Sequence, residues 1–186
     1  MKFTLFFLAS MPATFAAKLA YTPPAALAVK AEDPKNNCVL PADYHIRSFT
    51  AATNGTGDSL TSYKFTFLDT ATNSSTRCEY GPASKAQDSA SGGTLPRYSC
   101  DSADVSFVWQ GQMKKLSMIQ KVCPDDKGQA EYEVAGSVVI PLTCSHNACQ
   151  TNATDYTGTF NSLNAVEHAP TVRRHRGVAW SYDLAN

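Results

Sequence analysis

The sequence predicts an all-β fold, a single antiparallel β-barrel or sandwich that is stapled by disulfides and contains little or no helix. Three observations predict it: apolar and polar residues alternate along much of the 186-residue chain, six cysteines follow an export signal, and no stretch holds a helical period. Alternation with a period of two is typical of half-buried strands. An even number of cysteines in an exported chain favours disulfides.

The N-terminus, residues 1–17, has the organisation of a secretory signal peptide. Lys2 supplies the charged region, residues 3–11 form the apolar run, and small residues lead to cleavage after Ala16 or Ala17. The run is too short to cross roughly 30 Å of hydrocarbon, which argues against a membrane anchor. The chain left after cleavage has 15 basic and 16 acidic residues and lacks the basic stripe that nucleic acids require. We expect a secreted, extracellular protein with no nucleic-acid or membrane partner.

Two segments without strand character flank the predicted β domain, which covers residues 37–168. Residues 18–36 are rich in Ala and Pro and follow neither period, so we expect a flexible lead or pro-segment. Residues 169–186 form a basic tail that we expect to be disordered. Within the tail, the pair Arg173-Arg174 is either a processing site or part of a solvated charge run.

The predicted strands follow one another at short intervals, as in a sandwich or barrel. In chain order they are residues 44–49, 62–69, 76–80, 97–100, 104–109, 115–122, 131–143 and 156–160. The clearest apolar faces are Tyr63, Phe65 and Phe67 in the second run and Val105, Phe107 and Trp109 in the fifth. A turn at 111–113 predicts a hairpin between the fifth and sixth runs. A long loop, 81–93, precedes the fourth.

The run 131–143 is the longest predicted strand. Its apolar residues fall on even positions: Tyr132, Val134, Val138, Ile140 and Leu142. Gly136 within the run indicates a bend or a bulge. Pro141 indicates an edge, because proline cannot donate a hydrogen bond to a sheet ladder.

The cysteines leave several pairings open. Cys78 and Cys100 end two strand-like runs on either side of the long loop, and Cys144 and Cys149 bracket a short polar turn that they could close locally. The remaining pair, Cys38 and Cys123, is either an internal bridge or available for bonds between subunits. Cys38 is the better candidate for an intermolecular bond because it follows the flexible lead directly. A homodimer linked through Cys38 is therefore one expectation.

Three sequons, at Asn54, Asn73 and Asn152, lie in polar, turn-like stretches where a glycan could be attached. A zinc site is disfavoured, because no Cys-x-x-Cys pair occurs and His146 fits a loop residue between two cysteines better than a ligand. We expect no cofactor and no metal.

Catalytic candidates are few. His45 and Arg47 share one face of a predicted strand and could act as acid and base on a phosphodiester, although solvent-facing strand residues explain them more simply. Glu131 and Glu133 also share a face, but a glycosidase needs its two carboxylates on opposite sides of a cleft, some 5–9 Å apart, and a solvated face explains the pair more simply. The sequence contains neither a nucleophile elbow nor a zinc-protease motif. We expect no catalytic residues.

Two classes of function remain. In the first, loops that disulfides hold rigid bind an extracellular protein, since preorganised loops lose less entropy on docking. In the second, the barrel or a dimer seam carries a small apolar or aromatic ligand. The lining would be Phe65, Phe67, Phe107 and Trp109. An ordinary core explains these side chains more simply, because small barrels fill their interiors with side chains.

The order of motifs along residues 38–165 resembles the Alternaria major allergen family of secreted fungal proteins. The most specific part is aromatic-Ser-Cys, a short gap, a Phe-containing strand and then Leu-x-x-x-Gln-Lys. The matching residues are Cys38, Tyr44–Phe49, Tyr63–Phe67, Cys78, Arg97–Cys100, Val105–Trp109, Leu116–Lys121, Cys144 and Cys149.

This resemblance implies a small antiparallel β-barrel without catalytic residues, in a family with members that act as allergens or as effectors sensed by plants. It implies internal bridges Cys78–Cys100 and Cys144–Cys149, with Cys38 available to join two subunits. The chain departs from the pattern at Cys123, which could capture Cys38 internally. The expected partner is an extracellular protein or receptor of a host plant.

Overall fold

The computed structural model describes residues 18–55, 59–87 and 95–166. The predicted signal peptide and the basic tail lie outside these ranges, as does part of the loop 81–93. Within them the chain forms one helix, α1 (Ala25–Glu32), one 3-10 turn (Gly111–Met113) and ten strands. The strands are β1 (Asp43–Thr53), β2 (Leu60–Asp69), β3 (Ser75–Tyr80), β4 (Tyr98–Ser99), β5 (Val105–Gln110), β6 (Lys115–Pro124), β7 (Ala130–Val139), β8 (Leu142–Ser145), β9 (Ala148–Thr151) and β10 (Asp155–Ala165). The all-β prediction is confirmed.

The strands form one antiparallel sheet that is nearly closed into a barrel. The order is β3-β2-β1-β10-β7-β6-β5-β4, and the hairpin β8–β9 joins it where β9 pairs with β1. The two edge strands, β3 and β4, meet at a seam. There Asp101 donates its backbone N–H to the carbonyl of Arg77 at 2.8 Å, and Cys78 is bonded to Cys100. Closing the sheet in this way covers the strand edges that would otherwise pair with other chains.

The predicted apolar faces point into the barrel. Phe65, Phe67 and Phe107 are almost completely buried, as are Tyr44 and Phe160 from the neighbouring strands. Burial of a side chain of this size stabilises a fold by roughly 1.5–3 kcal/mol before conformational entropy is counted. The interior is therefore a packed core of aromatic and aliphatic side chains.

The predicted strand 131–143 is two strands in the structure. β7 ends at Val139, and β8 begins at Leu142 after Pro141. The bulge expected at Gly136 lies in the opposite strand, where the register shifts between Phe160 and Ser162. A Cβ at Gly136 would lie 2.1 Å from the carbonyl oxygen of Thr159, so only glycine allows this approach.

The segment 18–36 differs from the predicted flexible lead, because it contains α1 and packs against the barrel. Pro24 precedes the helix, and its carbonyl accepts the backbone N–H groups of Leu27 and Ala28 at 3.0 Å. Leu27 is buried, and the hydroxyl of Tyr21 donates to the carbonyl of Pro41 at 2.9 Å. The prediction missed the helix because eight residues with one buried side chain are too few to show a period. We call the end of the barrel that carries α1 the helix end.

All six cysteines are paired within the chain, as Cys38–Cys123, Cys78–Cys100 and Cys144–Cys149. Of the two possibilities for Cys38, the structure has the internal bridge. Cys38 and Cys123 are both buried, so the expected intermolecular bond through Cys38 is not the arrangement found. The bond ties the segment after α1 to the end of β6, which fixes the helix end of the barrel.

Candidate functional site

His45 and Arg47 lie on the outer face of β1, as predicted, and both contact one carboxylate. Asp155, the first residue of β10, is the residue across from Arg47. Its Oδ1 lies 2.6 Å from Nδ1 of His45, and its Oδ2 accepts a hydrogen bond from Nε of Arg47 at 2.9 Å. Sequence reasoning missed Asp155 because it is more than a hundred residues away along the chain and no local motif marks it.

The electrostatics of this cluster are those of a surface ion pair. Partial burial alone would raise the pKa of Asp155, but hydrogen bonds and positive charge from His45 and Arg47 outweigh it and hold the pKa below its ordinary value. The carboxylate is therefore ionised at neutral pH. It is hydrogen-bonded to both of the side chains that could have acted as acid and base. The arrangement stabilises the pairing of β1 with β10.

Glu131 and Glu133 do share the outer face of β7, and each is paired with a different basic side chain. Oε2 of Glu131 is 2.8 Å from Nζ of Lys30 on α1. Glu133 accepts two hydrogen bonds from the guanidinium of Arg97, at 2.9 and 3.2 Å. A glycosidase would need one of these carboxylates free to act as an acid. Both instead hold neighbouring segments against β7.

His146 lies in the turn between β8 and β9, next to Asn147, and both residues have a positive φ. The cysteines on either side of this turn are bonded to each other. Across residues 18–55, 59–87 and 95–166 no group of three or more His, Cys, Asp or Glu side chains is placed to hold a metal ion.

Of the four predicted ligand-lining residues, three belong to the closed core. Phe65 and Phe107 pack edge to face at 5.3 Å, and Phe67 contacts Tyr44 at 5.6 Å. Trp109 differs, because it is only partly buried. Its ring lies 5.7 Å from Phe49, and its Nε1 is buried without a hydrogen-bond partner in the described part of the chain.

Trp109 marks the end of the barrel opposite α1, which we call the turn end because the 3-10 turn between β5 and β6 lies there. Three tyrosines line the same end. Tyr63 stacks on Tyr80 at 5.0 Å, and Tyr80 packs edge to face on Tyr98 at 4.9 Å across the seam. Burial raises the pKa of Tyr63, and the neighbouring phenols of Tyr80 and Tyr98 add to the rise.

A shallow groove of about 300 Å³ opens at this end between β1, β2 and β3. Its lining is Thr50, Ala51, Ala52, Ser62, Tyr63, Lys64, Glu79 and Tyr80. None of the four predicted lining residues contributes to it. The groove is thus a surface feature beside the aromatic cluster and not an opening into the core.

The three sequon asparagines are exposed and lie in turns. Asn54 follows β1, Asn73 lies between β2 and β3, and Asn152 lies between β9 and β10. The hydroxyl of Tyr156 donates to Oδ1 of Asn152 at 2.7 Å. Glycosylation at these positions stays a prediction.

No protein-family model and no curated protein sequence matches the chain. Among solved structures, a crystal structure of Alternaria alternata allergen Alt a 1 matches with a TM-score of 0.47 and 18% identity, over 68% of this chain and 91% of that one. The chain is similar to the Alt a 1 allergen. A second crystal structure of Alternaria alternata major allergen Alt a 1 matches with a TM-score of 0.46 and 17% identity, over 69% of this chain and 97% of that one. The likeness concerns the fold alone. The two matched structures belong to the family that the sequence motifs resemble.

No helix in the ranges that the structure describes is long and apolar enough to cross a membrane.

Proposed function

We propose that this protein is a secreted, allergen-like recognition protein that binds a host extracellular protein or receptor and does not catalyse a reaction. The observation that carries the proposal is that the polar side chains a catalytic reaction would need are already bound to other protein groups. Arg47, Glu131 and Glu133 are held in ion pairs on the outer face of the barrel, and His45 is hydrogen-bonded to Asp155. Side chains that are fixed in this way support a scaffold for recognition better than an active site.

The disulfides support the same proposal. Cys78–Cys100 closes the seam beside Tyr80 and Tyr98, and Cys144–Cys149 closes the β8–β9 turn. The first bond joins the two edge strands of the sheet, and the second constrains a surface hairpin at the turn end. Segments that are ordered before binding lose less conformational entropy when a partner docks.

The test is capture from plant apoplastic fluid by the immobilised mature protein. We expect the folded protein to retain a host protein that the reduced and alkylated chain does not retain. The captured protein, once purified, should co-elute with the folded protein in gel filtration. The proposal fails if nothing is retained specifically and the protein instead turns over RNA or polysaccharide, with activity lost in His45→Ala or Glu133→Ala.

A second candidate is transport of a small apolar or aromatic ligand. The observation that favours it is the unpartnered Nε1 of Trp109, a buried donor that a ligand at the turn end could satisfy. The chain has a second tryptophan, Trp180, so the experiment needs a Trp180→Phe background. In that background the fluorescence of Trp109 should change during titration with aromatic compounds. A flat titration removes the carrier function.

A further inference from the structure

Two segments of the barrel, each of 20 residues or more, contain no acidic residue, although the whole sequence has 16. They are residues 105–124, which include β5 and β6, and residues 134–154, which run from the middle of β7 through β9. The first segment carries three lysines. At the turn end the two segments meet, because Lys115 is paired with Val139 and the backbone N–H of Ile140 donates to the carbonyl of Lys114 at 2.8 Å.

Four residues form the surface at this meeting point, and we call it the tip: Met113, Lys114, Lys115 and Val139. Met113 and Val139 are large apolar side chains that are 58% and 56% exposed. The ammonium group of Lys114 donates to the carbonyl of Leu142 at 2.9 Å, which holds its charge beside Val139 and β8. In the described part of the chain no carboxylate pairs with Lys114 or Lys115. The tip thus combines unpaired positive charge with exposed apolar surface.

The sequons lie outside the turns that form the tip. Asn54, Asn73 and Asn152 are in the β1–β2, β2–β3 and β9–β10 turns, and the turns that join β5, β6, β7 and β8 contain no sequon. A glycan covers the surface around its asparagine and hinders the docking of a protein. The tip's own turns therefore carry no glycan acceptor.

We infer that the tip is the surface on which the host protein docks, and that the partner presents an acidic surface with an apolar centre. The inference rests on the proposed function and adds the face and the chemistry of the partner. Exposed apolar side chains supply the contact area, and the two lysines select for carboxylates and steer the encounter. Met113 and Val139 would occupy the centre of the contact, where most binding energy is concentrated.

The variants that test the inference alter the tip without touching the core. Met113→Ser with Lys115→Gln removes one apolar side chain and one charge. The matched control is Lys127→Gln, which removes the same charge from the exposed β6–β7 turn at the helix end of the barrel. Thermal unfolding should show that both variants are nearly as stable as the parent, since Met113 and Lys127 are exposed and Lys115 is only partly buried.

The host protein captured from apoplastic fluid is purified and titrated against the parent and both variants. We expect the captured host protein to have an isoelectric point below neutrality. The Kd for this protein should rise about tenfold or more in the tip variant and stay unchanged in Lys127→Gln. Raising the salt from about 50 to about 500 mM should weaken binding of the parent more than that of the tip variant.

Other outcomes separate the failure of this inference from the failure of the proposed function. If the parent captures a partner and the tip variant binds it equally well, the tip is not the docking face while the recognition function stands. If the parent captures no protein but sediments with phosphatidylcholine vesicles containing about 30% phosphatidylserine, and the tip variant does not, the tip binds a membrane and the inference is overturned. If the parent binds neither, the proposed function fails with it.

Discussion

At the scale of single residues, the outer face of the barrel is fixed by ion pairs that join distant parts of the chain. Asp155 holds His45 and Arg47, and Glu133 holds Arg97. In each case a side chain that was a catalytic candidate is paired with a residue from a distant part of the chain. The contacts of Asp155 are exposed, and exposed pairs contribute little to stability individually, typically below 1 kcal/mol.

The lowered pKa of Asp155 gives a pH-dependent prediction. A carboxylate whose pKa is depressed in the folded state stabilises that state above its ordinary pKa, and the contribution disappears as the pH falls through the folded value. Asp155→Asn should therefore cost no more than about 1 kcal/mol at pH 7 and close to nothing in strong acid. Urea unfolding at both pH values checks this, with Asp126→Asn as the control at an exposed turn. If Asp155→Asn lowered the free energy of unfolding equally at both pH values, the charge of Asp155 would not be the source of its contribution.

A second prediction at this scale concerns Gly136. An alanine there would drive its Cβ into the backbone of Thr159 and Phe160, which cannot move without breaking the pairing of β7 with β10. We expect Gly136→Ala to lower the free energy of unfolding by about 2–4 kcal/mol. Gly55→Ala, where nothing lies within 4 Å, should be close to neutral in the same denaturant titration. Similar free energies of unfolding for the two variants would contradict the close approach of Gly136 to the backbone of Thr159.

At the scale of elements, α1 is the one that the hydrophobic periodicity of the sequence does not predict. It is held by Leu27 in the core, by Lys30 on Glu131 and on the carbonyl of Pro124, and by the nearby Cys38–Cys123 bond. An isolated helix of eight residues is marginal in water, so tertiary contacts decide its stability. The strands are different, because their alternation is visible in any short window.

Leu27→Ala tests whether α1 is docked. Loss of this buried side chain should cost about 2–3 kcal/mol and make the segment before Cys38 more sensitive to limited proteolysis. Val29→Ala is the matched control in the same helix, because Val29 is 68% exposed and its removal should be nearly neutral. If both variants are cut as slowly as the parent, α1 does not depend on Leu27.

At the scale of the whole molecule, the three disulfides close loops of very different length. Cys38–Cys123 spans 85 residues and Cys144–Cys149 spans 5. A longer closed loop restricts the unfolded chain more, so the first bond stabilises the fold more in the chain-entropy model. The same bond removes Cys38 from any role between subunits.

Paired Cys-to-Ser variants test this ranking. Removal of both Cys38 and Cys123 should lower the free energy of unfolding by roughly 4–5 kcal/mol, and removal of both Cys144 and Cys149 by about 2 kcal/mol. Calorimetry of both variants measures the difference. On a non-reducing gel the parent should run as a monomer, and a dimer that disappears in Cys38→Ser would overturn the internal bridge.

The sequence by itself determined the class of fold and much of the core. The alternation in 62–69 and 104–109 identified Phe65, Phe67 and Phe107 as buried, because in a strand the period of two directly sets which face a side chain occupies. It also located the turn 111–113. These are local properties of the backbone, so a short window contains all the information they need.

Only the tertiary structure decided which distant residues meet. The partner of Cys38, the carboxylate between His45 and Arg47 and the docking of α1 each depend on how the sheet closes. The same closure made Phe65, Phe67 and Phe107 core residues and left Trp109 at the turn end. Contacts across the barrel join residues far apart in sequence, and no local pattern encodes the register that brings them together.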